Sequence, residues 1–370
     1  MFKNYRLRDY DFKLILMVIT LSMIGVMAIG SAEETLQNKQ LFGVISGAVL
    51  MVVVSLFNYS FVLKFYPLIY AGNLVLLALV LTSFLGEDGG GAQRWLKIGG
   101  FQFQPSELAK ILLILFFAQF IMKYKKKLNT FGMIALCVVL VGIPWLLVYK
   151  QPDLSTSIVL LVIFCVIMFV GGISYKIIGG ILLVAIPAVA VIFTLAMQPG
   201  ETFLQDYQKD RILAFFNPEE YADKEAYQQI NSVTAIASGL LDGKGYKNNE
   251  ITSVKNGNFI SEAQTDFIFA VIGEEFGFKG SLLVIMLLFL VALECISVAR
   301  RAKDLAGTII ASGVGTIVAF QGFFNIGVAT FILPNTGLPL PFVSYGLTSL
   351  WSLYIGIGFV LNVRLQAKRK

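Results

Sequence analysis

The residue best placed to do acid–base chemistry is Asp266, within residues 261–280, SEAQTDFIFAVIGEEFGFKG. It sets a carboxylate at the mouth of an apolar run. Read as a helix beginning near Thr265, this stretch puts Asp266 on one face with Ala270, Gly273 and Gly277, a strip of small residues that lets another helix come close. An ionisable group at the rim of a membrane bundle is costly, and by default it reads as a functional site with partners elsewhere. Taken alone, Asp266 also fits a helix N-cap. The 370-residue chain has no histidine, which removes histidine bases, the Ser/His/Asp triad and histidine metal sites together. Acid or base chemistry must therefore use carboxylates, Lys, Tyr or water.

Three other polar stretches offer partners. The segment 86–107, GEDGGGAQRWLKIGGFQFQPSE, carries Arg94 and Lys97 as fixed positive charges and Trp95 as a residue suited to a membrane interface. Its glycines permit tight turns, and an interfacial anchor loop is the plainer reading. Pro105, Ser106 and Glu107 open a helix, with Lys110 one turn on and within ion-pair reach of Glu107. Gln151, Pro152 and Asp153 open another, where Asp153 fits an N-cap ahead of Ser155, Thr156 and Ser157.

These residues need an apolar frame to hold them. A hydrophobic content of 57%, a charged content of 14% and a mean hydropathy of +0.77 indicate an all-α polytopic membrane protein. Apolar runs at 14–31, 41–57, 62–85, 106–122, 130–149, 155–173, 177–197, 267–294, 305–331 and 342–362 predict ten spans in one integral membrane domain. The first run has no small-residue cleavage site after it and is expected to remain as a span. Lys3, Arg6, Arg8 and Lys13, then Lys123 to Lys127, Arg300, Arg301 and Lys303, and finally Arg364, Lys368, Arg369 and Lys370 fall on one side. By the positive-inside rule both termini are cytoplasmic and the polar clusters face outward. The net charge of +6 is explained by this orientation rather than by nucleic-acid binding.

Residues 198–265 form the one long excursion, an extracellular loop between the seventh and eighth spans. Its DYQKDRILAFFNPEEY segment offers Ile212, Phe215 and Phe216 to the interface, with Asp210 and Arg211 facing water. A helix-like YQQINSVTAIASGLLDGKGY follows, closing in Gly239, Gly243 and Gly245, and could bend over a site as a lid. Residues 331–350, FILPNTGLPLPFVSYGLTSL, hold Pro334, Pro339 and Pro341, so irregular backbone must lie near membrane depth, buried in protein or facing a wet cavity. Cys137, Cys165 and Cys295 sit inside apolar runs without metal spacing and read as packing residues.

A carboxylate base at Asp266 with cations at Arg94, Lys97 and Lys110 suits transfer from a lipid-linked phosphate: the carboxylate accepts a proton from the attacking hydroxyl, and the cations neutralise a departing pyrophosphate. The same residues suit a transporter. Spacing alone does not choose between them.

The motifs GAQRWLKIGGFQFQPSELAK, QPDLSTS, YQQINSVTAIASGLLDGKGY, EAQTDFIFAVIGEEFGFKG and NTGLPLPFVSYGLTSL, in this order along the chain, resemble those of the SEDS proteins of shape, elongation, division and sporulation. The likeness is strongest to the elongation member, and the division and spore-cortex members share the motifs. It implies a peptidoglycan glycosyltransferase that polymerises lipid II on the outer face of the cytoplasmic membrane, partnered by a class B penicillin-binding protein. By the same resemblance Asp266 is the general base. Arg94, Trp95, Lys97, Glu107, Lys110, Asp153, Gln264 and Ser344 fall on motifs that bind substrate, with Arg94 and Lys110 holding phosphates. The β-1,4 link made from an α-pyrophosphate implies inversion by a single displacement. Mg or Mn is chemically compatible with pyrophosphate, but the oxygen ligands form no local cluster in the sequence and no cofactor is assigned. The chain departs from many members at Gln264, where they have His, and at Leu347, where they have Gly. Gln264 can donate a hydrogen bond but cannot relay a proton. A lipid II flippase and a non-catalytic scaffold for a transpeptidase are the rival readings.

Overall fold

In a bilayer an apolar segment must satisfy its own backbone groups, so runs of this length fold as helices. The computed structural model describes residues 10–82, 86–89, 92–98, 101–196, 206–222, 226–247, 260–261 and 263–367. Lys3, Arg6, Arg8, Lys368, Arg369, Lys370 and the 197–205 start of the long excursion lie outside the described residues. The helices are α1 (Phe12–Ala32), α2 (Glu34–Leu56), α3 (Tyr59–Val80), α4 (Pro105–Tyr124), α5 (Phe131–Tyr149), α6 (Leu154–Gly171), α7 (Tyr175–Ala196), α8 (Asp206–Phe216), α9 (Tyr227–Ser238), α10 (Ile268–Arg301), α11 (Leu305–Ala329) and α12 (Leu347–Leu365). Among the described residues nine of these are long and apolar enough to cross a membrane, all but α7, α8 and α9. The chain is a multi-pass membrane protein. The span expected at 177–197 falls on α7, a 22-residue helix whose side chains are only partly described.

The bundle is built around α4 and α12, buried over 78% and 72% of their spans, whereas α3 and α5 are buried over only 17% and 22% and turn apolar side chains outward. Without a hydrophobic drive between helices in lipid, close backbone approach has to supply the packing. It does so where α2 meets α12: a Cβ on Gly47 would lie 2.4 Å from the ring of Tyr354. Pro144 inside α5 removes the N–H that would bond the carbonyl four residues back. The Tyr70 hydroxyl of α3 donates to that Leu140 carbonyl at 2.8 Å, so the break costs no orphan group.

Three expectations are corrected. The anchor loop at 86–107 folds as a three-stranded antiparallel sheet, β1 (Gly86–Gly89), β2 (Ala92–Ile98) and β3 (Phe101–Phe103), in the order β1-β2-β3. Alternation in AQRWLKI, with glycine pairs on either side, is the hairpin signal that reading it as a loop overlooked. The last span starts at Leu347 rather than 342, because Gly337, Phe342 and Gly346 have φ of 71°, 65° and 155° and the backbone cannot be helical there. The helix after Asp266 starts at Ile268 with Phe267 as its cap residue, so Asp266 lies before the helix and shares no helical face with Gly277. Gly277 itself has φ 63° and ψ −160° and breaks α10 in two.

Candidate active site

The apolar run FIFAVI is buried from Phe267 onward, which leaves Gln264, Thr265 and Asp266 as a half-buried turn in front of it. A carboxylate just ahead of a helix N-terminus is electrostatically favoured. Main-chain bonds pin this turn. The Asn325 amide on α11 donates to the carbonyls of Asp266 at 2.7 Å and Leu338 at 2.8 Å. Ser344 Oγ donates to the Thr265 carbonyl at 2.6 Å and accepts from Leu340 N at 2.8 Å, and Tyr345 N donates to the Gln264 carbonyl at 2.9 Å. Ser344 thus spends its hydroxyl in tying two segments together. The Asp266 carboxylate lies over Gly337, where a Cβ would come within 3.2 Å of Oδ2. Burial raises the Tyr345 phenol beside this turn above its usual range.

The irregular 331–346 segment and the end of α11 before it are tied to α9 and α6 through their carbonyls, as such backbone at this depth requires. Gln229 of α9 donates to the Val328 and Leu333 carbonyls at 3.0 and 2.9 Å, and Ser232 to Ala329 at 2.7 Å. Ser155 Oγ of α6 donates to the Thr336 carbonyl and carries the framework to the QPD turn.

There Asp153 caps α6, its Oδ1 accepting from Thr156 N at 3.0 Å, while Oδ2 accepts from Gln104 Nε2 at 3.3 Å and Ser106 Oγ at 3.4 Å. Gln104 N donates to Thr348 Oγ1 of α12 at 3.3 Å. Arg94 reaches the same turn from β2, its Nε donating to the Gln151 carbonyl at 3.2 Å and its Nη2 to that of Pro152. A guanidinium has five N–H donors, and these bonds use two. One turn into α4, Lys110 Nζ and Glu107 Oε1 form a 2.8 Å ion pair, with side chains only 2% and 4% exposed.

Asp266, Gln264 and Ser344 are therefore linked through the 331–346 segment and α6 to Asp153 and Arg94, and the Glu107–Lys110 pair stands on α4 just after Ser106, a partner of Asp153. Trp95 and Lys97 stand on the face of β2 opposite Arg94 and the buried Leu96, and Lys97 is exposed, so they lie away from the QPD turn. The sequence reading overlooked Asn325 and Gln104, and it gave Ser106 and Thr348 no part in the site. Gln321 and Asn325, two amides four residues apart within an apolar span, were the available signal. Among the described residues, Glu107 Oε2, Gln151 Oε1, Asn325 Oδ1, Asn335 Oδ1 and Thr336 Oγ1 are buried without a protein partner.

The sequence profile of the FtsW, RodA and SpoVE cell cycle proteins matches residues 11–369. The chain is 33% identical over 365 residues to the peptidoglycan glycosyltransferase MrdB of Escherichia coli K12, covering 97% of this chain and 94% of that protein. It is 32% identical over 371 residues to a probable peptidoglycan glycosyltransferase FtsW of Geobacter metallireducens, covering 97% and 96%. Among solved structures, a chain of a peptidoglycan synthase complex that coordinates polymerization and crosslinking superposes with a TM-score of 0.80 at 29% identity, over 96% of this chain and 97% of that one. The rod shape determining protein RodA of Thermus thermophilus does so with a TM-score of 0.71 at 26% identity, over 98% of each chain. With its motifs in order and nearly its whole length matched, the chain belongs to the FtsW, RodA and SpoVE family of cell cycle proteins.

Proposed function

We propose that the chain is a peptidoglycan glycosyltransferase that polymerises lipid II at the outer face of the cytoplasmic membrane, with both termini in the cytoplasm and a class B penicillin-binding protein supplying transpeptidation. The observation that carries it is the Asp266 carboxylate lying over Gly337, in a turn whose carbonyls Asn325 and Ser344 hold, in a chain that also buries the Lys110 cation. The names of its full-length relatives support the same reading.

The acceptor is the 4-hydroxyl of the N-acetylglucosamine of lipid II, and the donor is the growing glycan on undecaprenyl pyrophosphate. Asp266 takes the hydroxyl proton as the oxygen attacks C1 of the donor sugar. The C1–O bond to phosphate breaks and its electron pair leaves with the pyrophosphate. Lys110 and the remaining donors of Arg94 stabilise the charge on that leaving group, where a fixed cation in a water-poor site acts strongly. A single displacement of this kind inverts the anomeric centre and needs no enzyme nucleophile. Asn325, Ser344 and Tyr345 hold the base, since the base must stand within hydrogen-bond reach of its proton.

The test is polymerisation of labelled lipid II by the purified protein with its cognate penicillin-binding protein, with moenomycin present to silence unrelated polymerases. Wild type is expected to give glycan ladders and Asp266→Asn none, at equal expression and partner binding. Equal synthesis by Asp266→Asn refutes the assignment of the base, and no ladder from wild type with an active partner refutes the reaction.

A further inference from the structure

Two motifs take no part in the chemistry above: EEFGFKG at 274–280 and SGLLDGKG at 238–245. The fold brings them together. An unbroken α10 would bond Phe278 N and Lys279 N to the carbonyls of Glu274 and Glu275. The break at Gly277 frees all four groups, and the loop after α9 takes each one. Phe278 N donates to Leu240 O at 2.8 Å and Lys279 N to Leu241 O at 3.3 Å, while Lys244 N donates to Glu274 O at 2.9 Å and Gly245 N to Glu275 O at 3.1 Å. The loop is spliced into the helix.

The splice leaves no room for side chains. Gly243 has φ 81°, and a Cβ there would lie 2.2 Å from the Glu275 carbonyl oxygen; one on Gly277 would lie 2.4 Å from Gly243 N. Side chains lock the same joint. Lys244 Nζ pairs with Glu274 Oε1 at 2.9 Å, with the two side chains only 18% and 5% exposed. Glu275 Oε1 accepts from Lys247 N at 3.2 Å and from Ser31 Oγ at the end of α1. The half-helix held in this way, 268–276, is the one that Asp266 immediately precedes. The base is therefore fixed from two sides: by Asn325 and Ser344 at the turn, and by the 239–247 loop at the far end of its short helix.

We propose that Lys244 and Glu274 are positioning residues for Asp266, and that the spliced 239–247 loop is the part that sets where the base stands. The inference rests on the glycosyltransferase reading. A short helix with a break at its end has no continuous ladder to keep its axis, so its position is only as exact as the joint. Misplacing a reacting group by about 1 Å costs on the order of a hundredfold in rate, and a loosened joint acts on turnover rather than on substrate binding.

The experiment compares wild type, Lys244→Met, Glu274→Gln, Lys244→Arg and Gly243→Ala, each with the cognate penicillin-binding protein, in lipid II polymerisation kinetics and in hydrogen exchange of residues 266–279. Lys244→Met and Glu274→Gln are expected to lower kcat about tenfold or more with KM within about twofold, and Lys244→Arg to keep most of the turnover. The first two, and Gly243→Ala, are expected to speed exchange at Phe278 and Lys279 while leaving α11 protected. Unchanged kcat in Lys244→Met and Glu274→Gln overturns the proposal. So does a loss of kcat without faster exchange at 278–279, or one accompanied by loosening of α11. If wild type itself makes no glycan, the functional reading fails, and the splice is then judged by exchange alone: unchanged protection at 278–279 in Lys244→Met and Gly243→Ala overturns it.

Discussion

Replacing Lys110 by Met removes the cation from a buried pair and leaves its anion in place. Glu107 Oε1 loses the ammonium now 2.8 Å away, and Oε2 has no protein partner among the described residues, so both oxygens of a side chain 4% exposed are orphaned. Removing one partner of a buried pair costs about 3–5 kcal/mol, mostly as the uncompensated charge left behind. The Lys247–Glu34 pair is an internal control with a similar N···O distance, 2.9 Å, but 38% and 81% exposed. Lys247→Met should leave stability nearly unchanged, because a solvent-exposed pair gains little from its charges. Lys110→Met combined with Glu107→Leu removes both charges and should return to within about 1 kcal/mol of wild type, because an apolar replacement of a whole buried pair is often neutral. Polymerisation should behave differently. If Lys110 also stabilises the departing pyrophosphate, the single and double variants should both lose about 10²-fold or more in kcat, the scale for removing a preorganised electrostatic contact. The assays are equilibrium unfolding in detergent and glycan synthesis on the same preparations. A stable single variant refutes the buried-pair energetics, and recovery of synthesis by the double variant refutes the role of Lys110 at the leaving group.

Two further outcomes follow from particular bonds. Tyr70→Phe should destabilise by about 1–3 kcal/mol by orphaning the Leu140 carbonyl, and the cost should largely vanish in a Pro144→Ala background, where an N–H is restored to that carbonyl; a double-mutant cycle by unfolding checks this. Ser344→Ala breaks both the bond to the Thr265 carbonyl and that from Leu340 N, so it should cost about 1–3 kcal/mol and lower kcat more than it raises KM, measured by unfolding and lipid II kinetics.

Much of the architecture was legible in the sequence, because membrane helices are dictated by local composition: a run with no water for its backbone has one way to fold. The N-cap role of Asp153 and the Glu107–Lys110 pair were legible for the same reason, being set by neighbours three residues apart. The small strip at Ala270 and Gly273 was rightly read as a place of close approach, with Ile236 of α9 against Gly273, but Asp266 proved to lie outside that helix. The β2–β3 hairpin was visible as an alternating run beside two glycines and was read as a loop.

What the chain itself determined is the set of spans and the chemical types at their mouths, carboxylate, cation and amide, since these depend on polarity and period alone. Which of them meet was decided only by the tertiary structure. Asn325 lies 59 residues from the Asp266 carbonyl it holds, Ser344 lies 79 residues from Thr265, and Lys244 lies 30 residues from Glu274. Contacts at such separations come from the packing of α9, α10, α11 and the 331–346 segment together. The break at Gly277 has the same origin. Glycine permits that backbone but does not require it, and the break persists because a distant loop makes four hydrogen bonds to the four groups that a continuous helix would have paired in two bonds within itself.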